Sequence, residues 1–139
     1  MEDLIDGVMT FEDQTDGVRV QVQSYYLSDQ SEPDEGRYVW AYRIKISNDG
    51  SDTVQLINRH WVITDANGNV QEVRGAGVVG EQPVLEPGDH FVYTSGTPLD
   101  TPTGFMTGSY EMQRPSGTTL TVAIPTFSLD SPFFDNGLN

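Results

Sequence analysis

Cysteine is absent from this 139-residue chain, so neither a disulfide framework nor thiolate chemistry is open to it. Bases are scarce. There are seven, of which Lys45 is the single lysine, against twenty-one acids, for a formal net charge of −14. A field of that sign repels nucleic acid and anionic membrane surfaces, which argues against a nucleic-acid role. No apolar run approaches the roughly 20 residues of a membrane span, so no membrane insertion is expected. The start, Met1 to Asp6, is acidic where a secretory signal needs positive charge. Together with the missing cysteines this predicts a cytoplasmic protein. The excess of acid has two readings, solubility and a cation-binding surface. Its spread along the chain and through turns favours solubility.

Catalytic constellations are equally thin. The only histidines are His60 and His90, both on predicted strands, where packing or surface duty is the ordinary use. There is no G-x-S-x-G elbow and no H-E-x-x-H. The pair Asp34–Glu35 sits in a polar loop, Ser28 to Gly36, where a solvated role is the ordinary one. Asp65-Ala-Asn-Gly68 lacks the alternating ligands and closing glutamate of a twelve-residue calcium loop. The expectation is a non-enzymatic protein with no catalytic residue, no metal ligand set and no cofactor.

Helical periodicity is missing as well; from Val18 onward the pattern is period two. Val18, Val20 and Val22 alternate with Arg19, Gln21 and Gln23 in a half-buried strand that runs to about Leu27. Tyr38, Trp40, Tyr42, Ile44 and Ile46 take every second position of the clearest strand. A third, from about Thr53 to Thr64, puts Ile57, Trp61 and Ile63 on one face with Arg59 among them. Asn67-Gly68 between Trp61–Thr64 and Val70–Val73 is a strong hairpin signal. Further strands are read over His90–Ser95, Gly104–Arg114 and Thr118–Leu129, the last with Leu120, Val122 and Ile124 alternating. Seven to eight short strands separated by turn signals predict an all-β protein, an immunoglobulin/fibronectin III-like β-sandwich, with an OB-like barrel as the alternative. Residues 1–16 read as a mobile acidic arm, able to add an edge strand through Val8–Phe11. Residues 17–130 form the domain and 131–139 a fraying tail. Open sheet edges would allow a homodimer.

The region between Val73 and Pro83 carries a G-x-G-x-x-G triplet: Gly75, Gly77 and Gly80. A dinucleotide fingerprint needs a strand before it and a helix opening on it. Pro83 and the turn Leu85-Glu-Pro-Gly88 leave no room for that helix. Two uses stay open. The glycines let the chain pass closely between sheets, or their amides form a nest for a phosphate-containing small molecule, with Arg74 beside it.

The blocks Asn58–Gly68, Val73–Pro83, Leu85–Gly88, Tyr93–Gly96, Gly104–Tyr110 and Ile124–Leu129, in this order, resemble the ApaG family over about Val18 to Phe133. The resemblance implies a single-domain bacterial protein with a fibronectin III-like sandwich, linked genetically to cobalt and magnesium resistance or efflux. The same domain in eukaryotic F-box and polymerase-associated proteins serves protein interaction. The triplet is a motif of that family for which pyrophosphate binding has been suggested. No catalytic residues come with the resemblance, and the acidic arm departs from it. The resulting expectation is a binding module whose unidentified protein partner meets the region around Arg74 to Pro83, with Arg74, Gly75, Gly77 and Gly80 as candidate contacts and Arg59, Trp61 and Tyr93 as neighbours. A nucleotide or pyrophosphate binder and a divalent-cation binder are the alternatives.

Overall fold

A strand with every second side chain apolar buries one face only, so it needs a second sheet to cover that face. The computed structural model, which describes residues 3–133, meets this need with two antiparallel sheets. The strands are β1 (Phe11–Thr15), β2 (Val18–Tyr26), β3 (Tyr38–Asn48), β4 (Val54–Asp65), β5 (Val70–Ala76), β6 (Val84–Leu85), β7 (His90–Leu99), β8 (Thr103–Gln113) and β9 (Thr119–Asp130). The first sheet has the order β1-β2-β3-β7. The second has the order β5-β4-β8-β9, with β6 pairing β4 beyond the end of β5. Among the described residues there is no α-helix, only two single-turn 3-10 segments, Ser28–Gln30 and Pro33–Glu35, in the polar loop. The two-residue β6, too short to show a period, brings the count to nine.

The core lies where the alternating positions meet. Val18, Val20, Val22, Trp40, Ile44 and Ile46 from the first sheet face Leu56, Trp61, Met106, Tyr110, Val122 and Phe127 from the second. Both tryptophans are buried, and they do different work. Trp61 packs edge-on against Tyr42 and Phe127, at centroid distances of 5.3 and 5.9 Å. Trp40 adds a hydrogen bond from its indole Nε1 to the Asp130 carbonyl at 2.7 Å, tying the first sheet to β9.

Three local expectations shift. Ile57 does not simply continue the face of Trp61 and Ile63, because it is the extra residue of a bulge between Leu56 and Asn58. The bulge changes the inward positions from even (Val54, Leu56) to odd (Trp61, Ile63), the usual consequence of one added residue. The N-terminal strand runs Phe11–Thr15 rather than Val8–Phe11. Asp16 and Gly17, at φ 47° and 85°, close a two-residue hairpin that pairs Thr15 with Val18 and sets this register. The arm is therefore held by the sheet over β1. The third shift concerns the tail, which stays on the sandwich past residue 130. Ser131 Oγ donates to the Pro102 carbonyl, and Phe133 packs on Tyr26. The rest of the expected tail lies outside the described residues.

The β4–β5 hairpin forms where Asn67-Gly68 predicts it. Gly68 sits at φ 84° and its amide donates to the Asp65 carbonyl, a type I turn followed by a left-handed glycine. Asp65 Oδ1 accepts from the amides of Asn67 and Asn69. Burial raises the pKa of this carboxyl, but the bonds from Asn69, Asn67 and Gly68 outweigh it and hold it below the ordinary range.

Candidate ligand site at the glycine loop

β5 follows the edge of β4 until Ala76, and β6 resumes on the same edge at Val84. Between them the chain leaves the ladder as a loop, 77–83. The bulge at Ile57 supplies the exit, since its carbonyl accepts from the Gly77 amide at 2.8 Å and from Gln82 Nε2 at 3.0 Å. Val78 and Glu81 then exchange backbone bonds of 2.8 and 2.9 Å around a two-residue turn. The turn residues Val79 and Gly80 have φ of 43° and 81°, the mirror-image turn that suits a tight hairpin. Val78 points into the core at 1% exposure, while Val79 stands out at 55%.

The three glycines are required for three different reasons. A Cβ on Gly77, at φ 64°, would collide with the Glu81 carbonyl oxygen. Gly80 faces open space and is needed only for its positive φ. Gly75 has ordinary backbone angles, but a Cβ there would lie 2.9 Å from both Nη atoms of Arg59. The missing side chain lets the guanidinium lie against the strand. Arg59, the cross-strand partner of Gly75, donates through Nη1 to the carbonyls of Ala76 and Gly77 at 3.0 and 2.9 Å. It thereby staples the root of the loop to β4. No carboxylate among the described residues pairs with Arg59.

Two clefts flank this staple. The inner one, about 220 Å³, opens between the sheets and is lined by Tyr42, Arg59, Trp61, Val78, Val79, Gly80, Tyr93 and Ser95. The outer one, about 480 Å³, crosses the outside of the second sheet and is lined by Asn58, Arg59, His60, Arg74, Gly75, Ala76, Ser109, Glu111 and Thr121. The expected site residues thus divide. Arg59, Trp61, Tyr93 and Gly80 meet at the inner cleft; Arg74 and Gly75 line the outer one, which Arg59 also borders; Gly77 lines neither.

Each cleft has its own electrostatics. In the outer one His60 Nε2 lies 2.8 Å from Glu72 Oε1, and Arg74 Nη2 donates to the same oxygen at 3.2 Å. The hydrogen bond from His60, with the charge of Arg74, holds the Glu72 carboxyl below its ordinary value. Beneath the inner cleft the Tyr93 and Tyr110 hydroxyls meet at 2.5 Å, both rings buried. Burial pushes both phenols well above the ordinary tyrosine value. Burial also raises Tyr42, against the opposing pull of Ser95 and Arg59.

His60 and His90 lie on different sheets and are not brought together. Among the described residues no group of three or more His, Cys, Asp or Glu is placed to hold a metal ion. Sequence reasoning included Val78 and Val79 only as part of the stretch from Arg74 to Pro83, without telling them apart, and missed Ser95 and Tyr110. Val-Gly is not a turn signature, so nothing in the residue types marks one valine as core and the next as tip. Tyr110, by contrast, could have been found from its even spacing with Met106 and Met112.

Two antiparallel sheets packed face to face, with a glycine-turned loop across one flank, define the class: an immunoglobulin/fibronectin III-like β-sandwich. Within that class the chain belongs to the ApaG family. The sequence profile of the ApaG domain matches residues 28–114. Protein ApaG of Paramagnetospirillum magneticum is 60% identical over 125 residues, covering 90% of this chain and 96% of that protein. Protein ApaG of Rhodospirillum centenum is 63% identical over 118 residues, covering 85% and 91%. The crystal structure of the ApaA protein from Bordetella pertussis superposes with a TM-score of 0.80 at 47% identity, covering 88% of this chain and 97% of that one. Among the described residues no helix is long and apolar enough to cross a membrane.

Proposed function

We propose that this protein is a cytoplasmic, non-enzymatic binding module that grips a partner protein at the flank closed by the glycine loop, with Val79 as the anchor. The observation that carries this reading is Val79 itself. A β-branched residue at φ 43° is a backbone outlier, and its side chain is 55% exposed rather than packed. Asparagine or glycine would fit the turn with less strain, so folding alone does not favour valine. Strain retained at an exposed tip supports a functional use of that tip. The tip is also pre-organised, since Val78 anchors it from within and Arg59 holds its root, which limits the ordering cost of binding.

The nucleotide or pyrophosphate alternative needs free loop amides. Those of Gly77, Val78 and Glu81 are already donated within the fold, which removes three of the loop's donors from a phosphate cradle and supports a protein partner. The link to cobalt and magnesium that the family resemblance implies then acts through that partner rather than through an ion held at the loop.

The test compares wild type, Val79→Asn and Val79→Asp as baits. Val79→Asn is expected to fold and to gain about 1 kcal/mol from relief of left-handed strain. A partner retained by wild type and lost from both folded variants supports the reading. Equal retention by all three sinks it.

A further inference from the structure

The residue that the staple does not fully use is Arg59. Its Nη1 holds the two loop carbonyls. Nε and Nη2 carry no hydrogen bond to the described residues, and no carboxylate there balances the charge. This is unusual in a chain with three times as many acids as bases, twenty-one against seven. A half-buried cation without a counter-charge is unfavourable unless something supplies one. The inner cleft that Arg59 lines has room, about 220 Å³, for a small group, and its other walls are Tyr42, Trp61, Val78, Tyr93 and Ser95.

We propose that this inter-sheet cleft is the seat of a single carboxylate, taken side-on by the Nε–Nη2 edge of Arg59. The inference rests on the reading that this flank is the binding face, and adds the chemistry it selects. A carboxylate matches that edge because two parallel N–H bonds of a planar guanidinium fit its two oxygens. One guanidinium balances one negative charge, and no second cation lines the cleft. A phosphate dianion would therefore be left half compensated among aromatic and aliphatic walls. The loop tip places Val79 on the same cleft, so one ligand can present an apolar group to Val79 and an acid to Arg59. The acid is borne either by a free organic acid or by an Asp, Glu or C-terminus of the partner.

The intact ¹⁵N-labelled protein is titrated with sodium acetate and benzoate, with chloride and inorganic phosphate at matched ionic strength. Two end-capped peptides, one with a single glutamate as its only charge and one with the matching glutamine, are added in separate arms. Saturable shifts of the Arg59 Nε–H and of the Val79, Gly80 and Ser95 amides are expected with the carboxylates alone, with half-saturation near ~1 mM, the level of a weak single contact. Arg59→Lys keeps the charge but loses the fork, and should weaken binding about tenfold. Preference for the glutamate peptide over acetate assigns the acid to a polypeptide; equal affinity assigns it to a free acid, and both support the seat. Absence of saturable shifts, or equal shifts with chloride or phosphate, overturns it. The wild-type titration decides this even if Arg59→Lys fails to fold. If carboxylates do not bind while the Val79 variants still lose their partner, the seat falls and the interaction face stands.

Discussion

The two flanks of the sandwich are closed in different ways. On one, β1 and β2 lie against β9 and backbone groups take part directly. Trp40 reaches the Asp130 carbonyl, Ser24 Oγ reaches the Ser128 carbonyl at 3.0 Å, and the Ala123 amide reaches Thr15 Oγ1 at 3.1 Å. On the other, where β7 faces β5 and β6, side chains and a loop do the closing: Val78 inserted in the core, the Tyr93–Tyr110 hydroxyl pair, and the Arg59 staple. The first flank leaves little for a ligand to reach. The second keeps a cleft, an exposed apolar tip and a guanidinium with donors to spare. The proposed contact face is the flank where the sheets are joined by side chains and a loop.

The comparison can be broken most forcefully at the closed flank. Trp40→Ala removes a fully buried side chain and orphans the Asp130 carbonyl, and should destabilise by about 3–5 kcal/mol in urea unfolding. A loss below ~1 kcal/mol would mean that this flank does not anchor the fold.

At the open flank the glycines should separate by mechanism. Gly77→Ala combines positive φ with a backbone collision, and is expected to lose about 3 kcal/mol. Gly80→Ala meets open space and should lose only about 1–2 kcal/mol. Equal losses would contradict the assignment.

The buried tyrosine pair sharpens the contrast further. Tyr93→Phe leaves the Tyr110 hydroxyl without its partner, and should destabilise by about 1–3 kcal/mol, with the double phenylalanine variant losing less than the sum. Because both folded pKa values are raised, the contribution is complete below the ordinary value of 10.0 and is lost as pH rises above it. A base-unfolding curve that the double variant leaves unshifted would count against burial as the cause.

The smallest effect is at the acid end. Asp65 and Glu72 have folded pKa values below their ordinary 3.8 and 4.5. Their contributions are present above those values and fade as pH falls through the lowered ones. Glu72 is exposed and Asp65 only half-buried in its turn, so the loss should be slight, and high salt should reduce it further for Glu72.

The sandwich was legible because burial on one face writes a period of two. Val18 to Val22 and Tyr38 to Ile46 could be read without any coordinates. The reading failed where a single residue is added, as at Ile57, because a bulge changes the facing positions while leaving the residue types apolar. The site was half legible. Gly75, Gly77 and Gly80 mark a place where backbone must come close, and Arg59, Trp61 and Tyr93 do gather beside the loop. That Gly75 accommodates an arginine, and that Val79 rather than a glycine stands at the tip, depends on cross-strand register. Register follows from pairing across the sheet, not from local sequence.

Amide hydrogen exchange at Gly77, Val78 and Glu81 tests the central claim most directly. If the glycines build a scaffold, all three amides are locked in the loop's own hydrogen bonds and should exchange as slowly as the β4–β5 ladder. Exchange at the rate of an unstructured loop would contradict the account, leaving those amides free to cradle an anion.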